Sequence, residues 1–309
     1  LTPEDLVKRN VQLVSLPEIC IQVQALADSP HTTADDVAEV VGKDTALTVR
    51  VLKLVNNRYA EHPHRIDTVS RAVDLIGMRE LRNVALAASP TEVFGSIPSD
   101  LIDMADFWQH SVFTGLTARH LARCCNVLHS ERLFTAGLLH DVGRLLMLME
   151  LPEQAARAES LRLESGEDIC DIEQRVVGFD HAEIGQALLM QWNLPETLCA
   201  SVLYHHNPRI ALSAPIESAL VHIADQVAHC AQESRHRLRS PSYDPYAALL
   251  DADLNAARIG VKACEKIQKE ALSLTSVSTA DIAEAVSASS AAFNQVLELL
   301  YPMAWGTPR

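Results

Sequence analysis

Helix start and stop signals recur along this chain at the spacing of successive amphipathic helices, and they leave little room for any other kind of fold. Thr2 is followed by Pro3, Glu4 and Asp5, a cap with proline and carboxylates in the first turn. Thr33-Ala34-Asp35-Asp36 has the spacing of a capping box, with aspartate in place of glutamate, ahead of Val37, Val40 and Val41. After Asp44, the residues Leu47, Val51, Leu54 and Val55 line one helix face aimed at a core. Thr68 opens a run through Ala72, Val73 and Ile76 that Gly77 ends, and Met78 to Ala88 continues as a further helix. Composition points the same way: 11 Gly, 14 Pro and 5% aromatics supply little turn and strand material for a sandwich or barrel. The predicted fold class is all-α.

With 309 residues and 48% hydrophobic content, the chain can bury one large core or two ordinary ones. Its 40 acidic and 26 basic residues give a net charge of −14, a field that opposes general contact with a phosphate backbone. No basic recognition helix offsets that field, so a helix-turn-helix reader of nucleic acid is disfavoured. The seven cysteines are odd in number, scattered and free of any CxxC, which argues against a disulfide framework and against a thiolate zinc site. No charged-then-apolar leader opens the sequence, and no apolar run approaches the roughly 18–20 residues of a membrane span. The chain reads as soluble, reduced and cytoplasmic, with no membrane partner.

Ser89-Pro90 through Ile97-Pro98-Ser99 reads as a loop and a domain boundary. A long helix is predicted from Asp100 to about Cys125, carrying Trp108, His110, Thr114 and Leu121, and a second from Glu131 to Glu150. The second is nearly all apolar from Leu138 to Met149, except for His140, Asp141, Gly143 and Arg144. Polar groups buried in such a helix cost several kcal/mol unless something satisfies them. Further helices are predicted over Glu167–Val177, from the Asp180 cap to Trp192, from Pro195 to the pair His205-His206, and from Pro215 to Cys230. Gln232 to Tyr246 reads as a linker, its basic run Ser234–Arg239 solvated. Two helices follow, over about 251–273 and 279–300. The second presents a stripe of Ile282, Val286, Phe293, Val296, Leu297 and Leu300 that could dock on the core or on a second copy of the chain.

Histidine is the unusual component, at thirteen residues. Five of them, His110, His140, His181, His205 and His206, fall with Asp141 and Asp225 at positions where one metal centre could use them. Imidazole and carboxylate are the donors that iron and manganese accept in open octahedral sites, which favours those ions over zinc. Seven side chains are too many for one ion and suit two sharing a bridging carboxylate, the arrangement used in phosphoester hydrolysis. On a continuous helix His140 and Asp141 point about 100° apart, so they share an ion only across that edge. Asp141 is the expected bridge, and Gly143 leaves room for close approach of a neighbouring helix. His222, Asp225 and His229 form a competing stripe on one helix, read as a solvated edge.

The blocks Leu16-Pro17-Glu18, GKDTALTVRVLKLVNN, AVDLIGMRELRNVALA, FWQHSVFTG, FTAGLLHDVGRLL, FDHAEIGQALLMQWNLPE and YHHNP resemble, in order and spacing, the HDOD family, the HD-related output domain of bacterial signalling proteins. The resemblance covers about residues 10–230 and implies an N-terminal helical lobe, residues 1–98, packed on an HD-like lobe, 99–231. Residues 232–309 then form a linker and C-terminal helices. The related HD-GYP phosphodiesterases use a similar ordered ligand scheme, and by matching position His110, His140, Asp141, His181, His205, His206 and Asp225 carry over. Their glycine-tyrosine-proline loop does not: this chain has Asn207-Pro208-Arg209-Ile210-Ala211 there, and Arg144 stands where a lysine is usual.

These readings imply a non-catalytic signal-transduction or stress-response regulator. It would act through a signalling protein or a small nucleotide-like ligand, with one or two divalent ions held in a vestigial or structural site and with a homodimer formed through the C-terminal helices. The alternative is a metal-dependent phosphohydrolase in which Asp141 and Arg144 act, Arg144 gripping phosphate with its planar fork.

Overall fold

The computed structural model describes residues 1–9, 18–42, 45–58, 66–94, 97, 101–128, 130–192, 194–238, 252–267 and 269–300. Among the described residues every regular element is helical, and no helix is long and apolar enough to cross a membrane. The chain divides into two compact units, one of Leu1–Val11 with Ile97–Asn294, the other of Gln12–Ser96 with Gln295–Arg309. The first helix, predicted to belong with the N-terminal lobe, is part of the unit that carries the histidines, as is most of the C-terminal segment.

In the smaller unit α2 (Glu18–Asp28), α3 (Ala34–Val41) and α4 (Thr45–Arg58) pack on the long α5 (Val69–Phe94). Thr33 caps α3 in the predicted box, its hydroxyl accepting from the Asp36 N–H at 3.2 Å while Asp36 accepts from the Thr33 N–H at 2.9 Å. Gly77 interrupts α5 with φ 79°, the left-handed conformation that marks the predicted break. Beyond it the helix continues through Ser89 and Pro90 to Phe94, so the first part of the expected loop is helical; the rest of it, apart from Ile97, lies outside the described residues. Val37, Val41, Leu47, Val51, Val55 and Leu81 are buried here, each hydrophobic side chain contributing about 1.5–3 kcal/mol.

The larger unit is built on α6 (Met104–Cys124), which Asp103 caps through the N–H groups of Ala105 and Asp106. Facing it are α7 (Glu131–Leu139) and α13 (Pro215–Leu238). Gly115 and Gly137 let α6 and α7 touch along their backbones: a Cβ on Gly137 would lie 2.8 Å from the Gly115 Cα. The predicted single helix over 131–150 is two, α7 and α8 (Val142–Glu150), because the backbone leaves helical geometry at Asp141, with φ −99° and ψ 7°. Then come α9 (Pro152–Ser165), which the sequence reading leaves unassigned although Pro152 opens it, α10 (Ile169–Val176), α11 (His181–Gln191) and α12 (Glu196–Leu203).

Helix α1 (Pro3–Arg9) packs on α8 and α11. Helix α13 runs to Leu238, through the start of the predicted linker; the rest of that linker lies outside the described residues. The next helix is broken near Ile267 into α14 (Ala252–Lys266) and α15 (Lys269–Thr275), and α16 (Thr279–Leu300) follows. One residue of the stripe on α16, Phe293, and the nearby Ser289 meet α6 of the same chain. Phe113 and Phe293 meet edge to face at 5.8 Å, and the hydroxyls of Thr117 and Ser289 lie 3.1 Å apart.

Candidate metal centre

Five pieces of the larger unit converge on one buried point. His110 comes from α6, His140 and Asp141 from the break between α7 and α8, and His181 from the first position of α11. His205 and His206 lie in the turn just past α12, outside the helix the sequence predicts for them, and Asp225 comes from α13. Leaving helical geometry at Asp141 brings the adjacent side chains to one side, with His140 Nε2 and Asp141 Oδ1 only 3.6 Å apart. Gly143 allows this turn to press on α11: a Cβ there would sit 2.0 Å from the His181 carbonyl oxygen and 2.5 Å from the Gly185 nitrogen.

Two donor groups result. Asp141, His181, His205 and His206 form one, His110, His140 and Asp225 the other, and within each the donor atoms lie no more than 4.8 Å apart. Asp141 Oδ1 is 3.2 Å from His181 Nε2 and 3.7 Å from His205 Nε2. Asp225 Oδ1 is 3.0 Å from His110 Nε2 and 3.4 Å from His140 Nε2. Ligand atoms about 2.1 Å from a shared ion, in octahedral or tetrahedral array, stand about 3.0–3.4 Å apart, so this spacing suits a cation between them.

The imidazoles are oriented by hydrogen bonds on their outer nitrogens. His140 Nδ1 donates to the Gly137 carbonyl at 2.8 Å, His205 Nδ1 to that of Val202 at 2.6 Å, and His181 Nδ1 to Glu173 Oε2 at 2.7 Å. Each ring then turns its Nε2 inward, the second-sphere pattern of metal-binding histidines. The buried Nε2 atoms of His140 and His205 have no hydrogen-bond partner, nor does His110 Nδ1. Buried polar atoms without partners are costly, and a cation removes that cost at the two Nε2 atoms. The donor set therefore fits one or two divalent ions.

Burial opposes ionisation of Asp141, yet the surrounding imidazoles, His140 first and then His181 and His205, hold its carboxyl well below the usual carboxylate range. Asp225 is held down in the same way, against burial, by His229, His110 and His140. Burial first, then the neighbouring His205 and His181, push His206 well below the usual histidine value, so it is neutral. His181 moves the other way: despite burial, the carboxylate of Glu173 favours its imidazolium, and a bound cation would have to displace that proton.

Arg144 lies 3.3 Å from Asp141 Oδ2 and so grips the carboxylate that the imidazoles surround. The stripe of His222, Asp225 and His229 is not a solvated edge. His222 is buried and donates through Nδ1 to the His205 carbonyl at 2.7 Å, bracing the turn that carries the histidine pair. His229 is half exposed, but its Nε2 is 3.3 Å from Asp225 Oδ1 and its ring 4.5 Å from that of His110.

Sequence reasoning also missed Glu173 and Cys170. Glu173 shares the buried face of α10 with Ile172, a carboxylate on an apolar face that could have been flagged. Cys170 Sγ lies 4.0 Å from His181 Nδ1, so the fold brings to the centre a thiol that its scattered position conceals; burial pushes that thiol up to about 12. Beside the centre opens a cavity of about 580 Å³ lined by residues that include Asp168, Cys170, Asp171, Asp180, Glu183 and His206.

A helical unit that breaks one helix at a His-Asp pair and gathers further imidazoles and a distant aspartate around it belongs to the HD class of scaffold. More narrowly, the chain belongs to the HDOD domain family, whose pattern matches residues 13–208. It is 28% identical over 195 residues to an uncharacterized protein of Treponema pallidum (strain Nichols), a match covering 62% of this chain and 37% of that protein's length. Among solved structures it is similar to an HDOD domain protein of unknown function from Geobacter sulfurreducens, with TM-score 0.66 and 22% identity over 96% of this chain and 99% of that one. A candidate phosphohydrolase from Shewanella amazonensis SB2B has TM-score 0.62 and 24% identity over 91% of this chain and 97% of its own. At these identities the structural likeness establishes the fold.

Proposed function

We propose that this chain is a non-catalytic bacterial signal-transduction or stress-response regulator. On this reading the buried His/Asp cluster holds one or two divalent ions, iron or manganese in preference to zinc, as a structural centre, and the surface around it binds a signalling protein or small ligand. The cavity beside the centre carries the reading. It presents the carboxylates of Asp168, Asp171, Asp180 and Glu183 and, among the described residues, no lysine or arginine to hold a phosphate. The nearby Arg144 is engaged with Asp141. Beyond the histidine pair, Ile210, Leu212 and Ile216 are exposed at 56%, 98% and 40%, apolar surface of the kind that meets a partner.

A metal-dependent phosphohydrolase is the second reading. Its support is the complete donor set, in which His140 Nε2 stands between the carboxylates of Asp141 and Asp225. Bound ions would supply Lewis acidity and charge neutralisation. Arg144 would have to leave Asp141 to reach a phosphate.

The test is metal analysis of chain purified without chelator, followed by assay of the iron- or manganese-loaded chain on bis-p-nitrophenyl phosphate and cyclic dinucleotides. Bound metal that is lost in His140→Ala and Asp141→Ala, with no turnover, is the expected result. Turnover that disappears in those two variants would establish the hydrolase instead, and a metal content near zero would remove both metal readings.

A further inference from the structure

We propose a second, softer metal site at the floor of the acidic cavity, formed by Asp168, Cys170 and His206 and suited to zinc. Their donor atoms, an oxygen, a sulfur and a nitrogen, lie within 4.8 Å of one another. None of the assigned roles of the inner centre uses Asp168 or Cys170, and thiolate with imidazole and carboxylate is a borderline-soft donor set that selects zinc over iron or manganese.

Local structure explains why these three groups are held together. Asp168 is the N-cap of α10, and its Oδ1 accepts from the Cys170 N–H at 2.9 Å. The cap fixes the carboxylate and leaves Oδ2 facing His206 Nδ1 at 3.8 Å. Cys170 sits in the first turn of the same helix, where the helix dipole favours a negative sulfur. His206 lies in the turn past α12, with its Nε2 3.1 Å from His181 Nε2 on the inner side and its Nδ1 toward the cavity.

Three protein donors leave a fourth position open to the cavity of about 580 Å³, where water or a ligand would complete a tetrahedron. Asp171, Asp180 and Glu183 on the same wall add negative charge that draws a cation in. The half-buried thiol must lose its proton, and a coordinating divalent ion deprotonates a thiol outright. A neutral imidazole has one lone pair, so His206 serves one site at a time. An ion on its Nδ1 withdraws it from the inner group and leaves Asp141, His181 and His205 there.

Cobalt(II) reports this arrangement directly, because cobalt bound to thiolate gives a near-ultraviolet charge-transfer band that imidazole and carboxylate ligands do not. Full-length chain stripped of metal is titrated with Co²⁺ alone. We expect the band to appear, to persist in His140→Ala, where the inner centre is damaged, and to vanish in Cys170→Ser. Asp168→Asn keeps an N-cap, so it folds, and it should need about tenfold more cobalt for the same band. Absence of the band at saturating cobalt overturns the proposal, as does a band that Cys170→Ser leaves intact. The inner centre contributes no sulfur, so its own failure would appear as lost metal stoichiometry with the band retained.

Discussion

Glu173 accepts two hydrogen bonds from one residue, from the backbone N–H of His181 at 2.9 Å and from its Nδ1–H at 2.7 Å. The carboxylate thereby fixes both the start of α11 and the tautomer of the ring that faces Asp141. Glu173→Gln keeps the size but loses the charge and leaves the amide unable to favour one orientation of the ring. The affinity of the centre for manganese should fall about 10–100-fold, as measured by competition with a chromogenic chelator. An affinity within twofold of the parent would show that His181 does not depend on Glu173.

Gly143 meets α11 where a Cβ would stand 2.0 Å from a carbonyl oxygen, and backbone cannot swing aside as a side chain can. Alanine is favoured over glycine inside a helix by about 1 kcal/mol, but overpacking of this kind costs about 1–3 kcal/mol or more, so the clash wins. Gly143→Ala should lower the urea midpoint and also weaken metal binding, because α11 can retreat only by carrying His181 away. Gly166→Ala is a useful contrast: nothing lies near its Cβ position, and its cost comes from the positive φ of 70° alone. That variant should lose stability without losing metal.

Much of this arrangement was legible in the sequence because it rests on local rules. The caps at Thr33 and Asp180 follow from hydrogen-bonding chemistry within four residues, and the kink at Gly77 follows from a backbone conformation that glycine tolerates. The break at Asp141 was not legible, since an apolar run through Leu138 to Met149 has the same pattern whether one helix or two bury it. Cys170 escapes the sequence reading, and His222 is misread there as part of a solvated edge, for a related reason. Each gains its partner, His181 or the His205 carbonyl, only when separate helices pack. The extension of α13 to Leu238 went unread because a basic run looks the same on a solvated helix as in a loop.

In the smaller unit, the side chain of Asn56 ties α4 to the backbone of Ile66. Its Nδ2 donates to the Leu52 carbonyl at 2.9 Å and to the Ile66 carbonyl at 2.7 Å, while its Oδ1 accepts from the Ile66 N–H at 2.7 Å. Ile66 is buried, so Asn56→Ala would leave both of its backbone groups without partners at a cost of about 2–3 kcal/mol. Hydrogen exchange should accelerate across residues 66–94 while metal content stays at the parent level. Unchanged exchange there would mean that water replaces the side chain freely.

An ion-pair cluster ties α13 to α14. Glu233 accepts from Lys262 through Oε2 and from Lys266 through Oε1, the latter at 2.7 Å. The hydrogen bond from Lys262 is the main cause, with Lys266 adding to it, that holds the Glu233 carboxyl down at about 2, from an ordinary value of 4.5. A folded-state value below the unfolded one means a stabilisation fully present above pH 4.5 and lost as pH falls toward 2. The side chains are 36–42% exposed, and solvent screening keeps the contribution below about 1 kcal/mol. The check is the difference in denaturant stability between the parent and Glu233→Gln, followed from pH 7 downward. It should favour the parent at pH 7 and shrink steadily below pH 4.5, whereas a gap that is constant across that range would assign the effect of the substitution to packing.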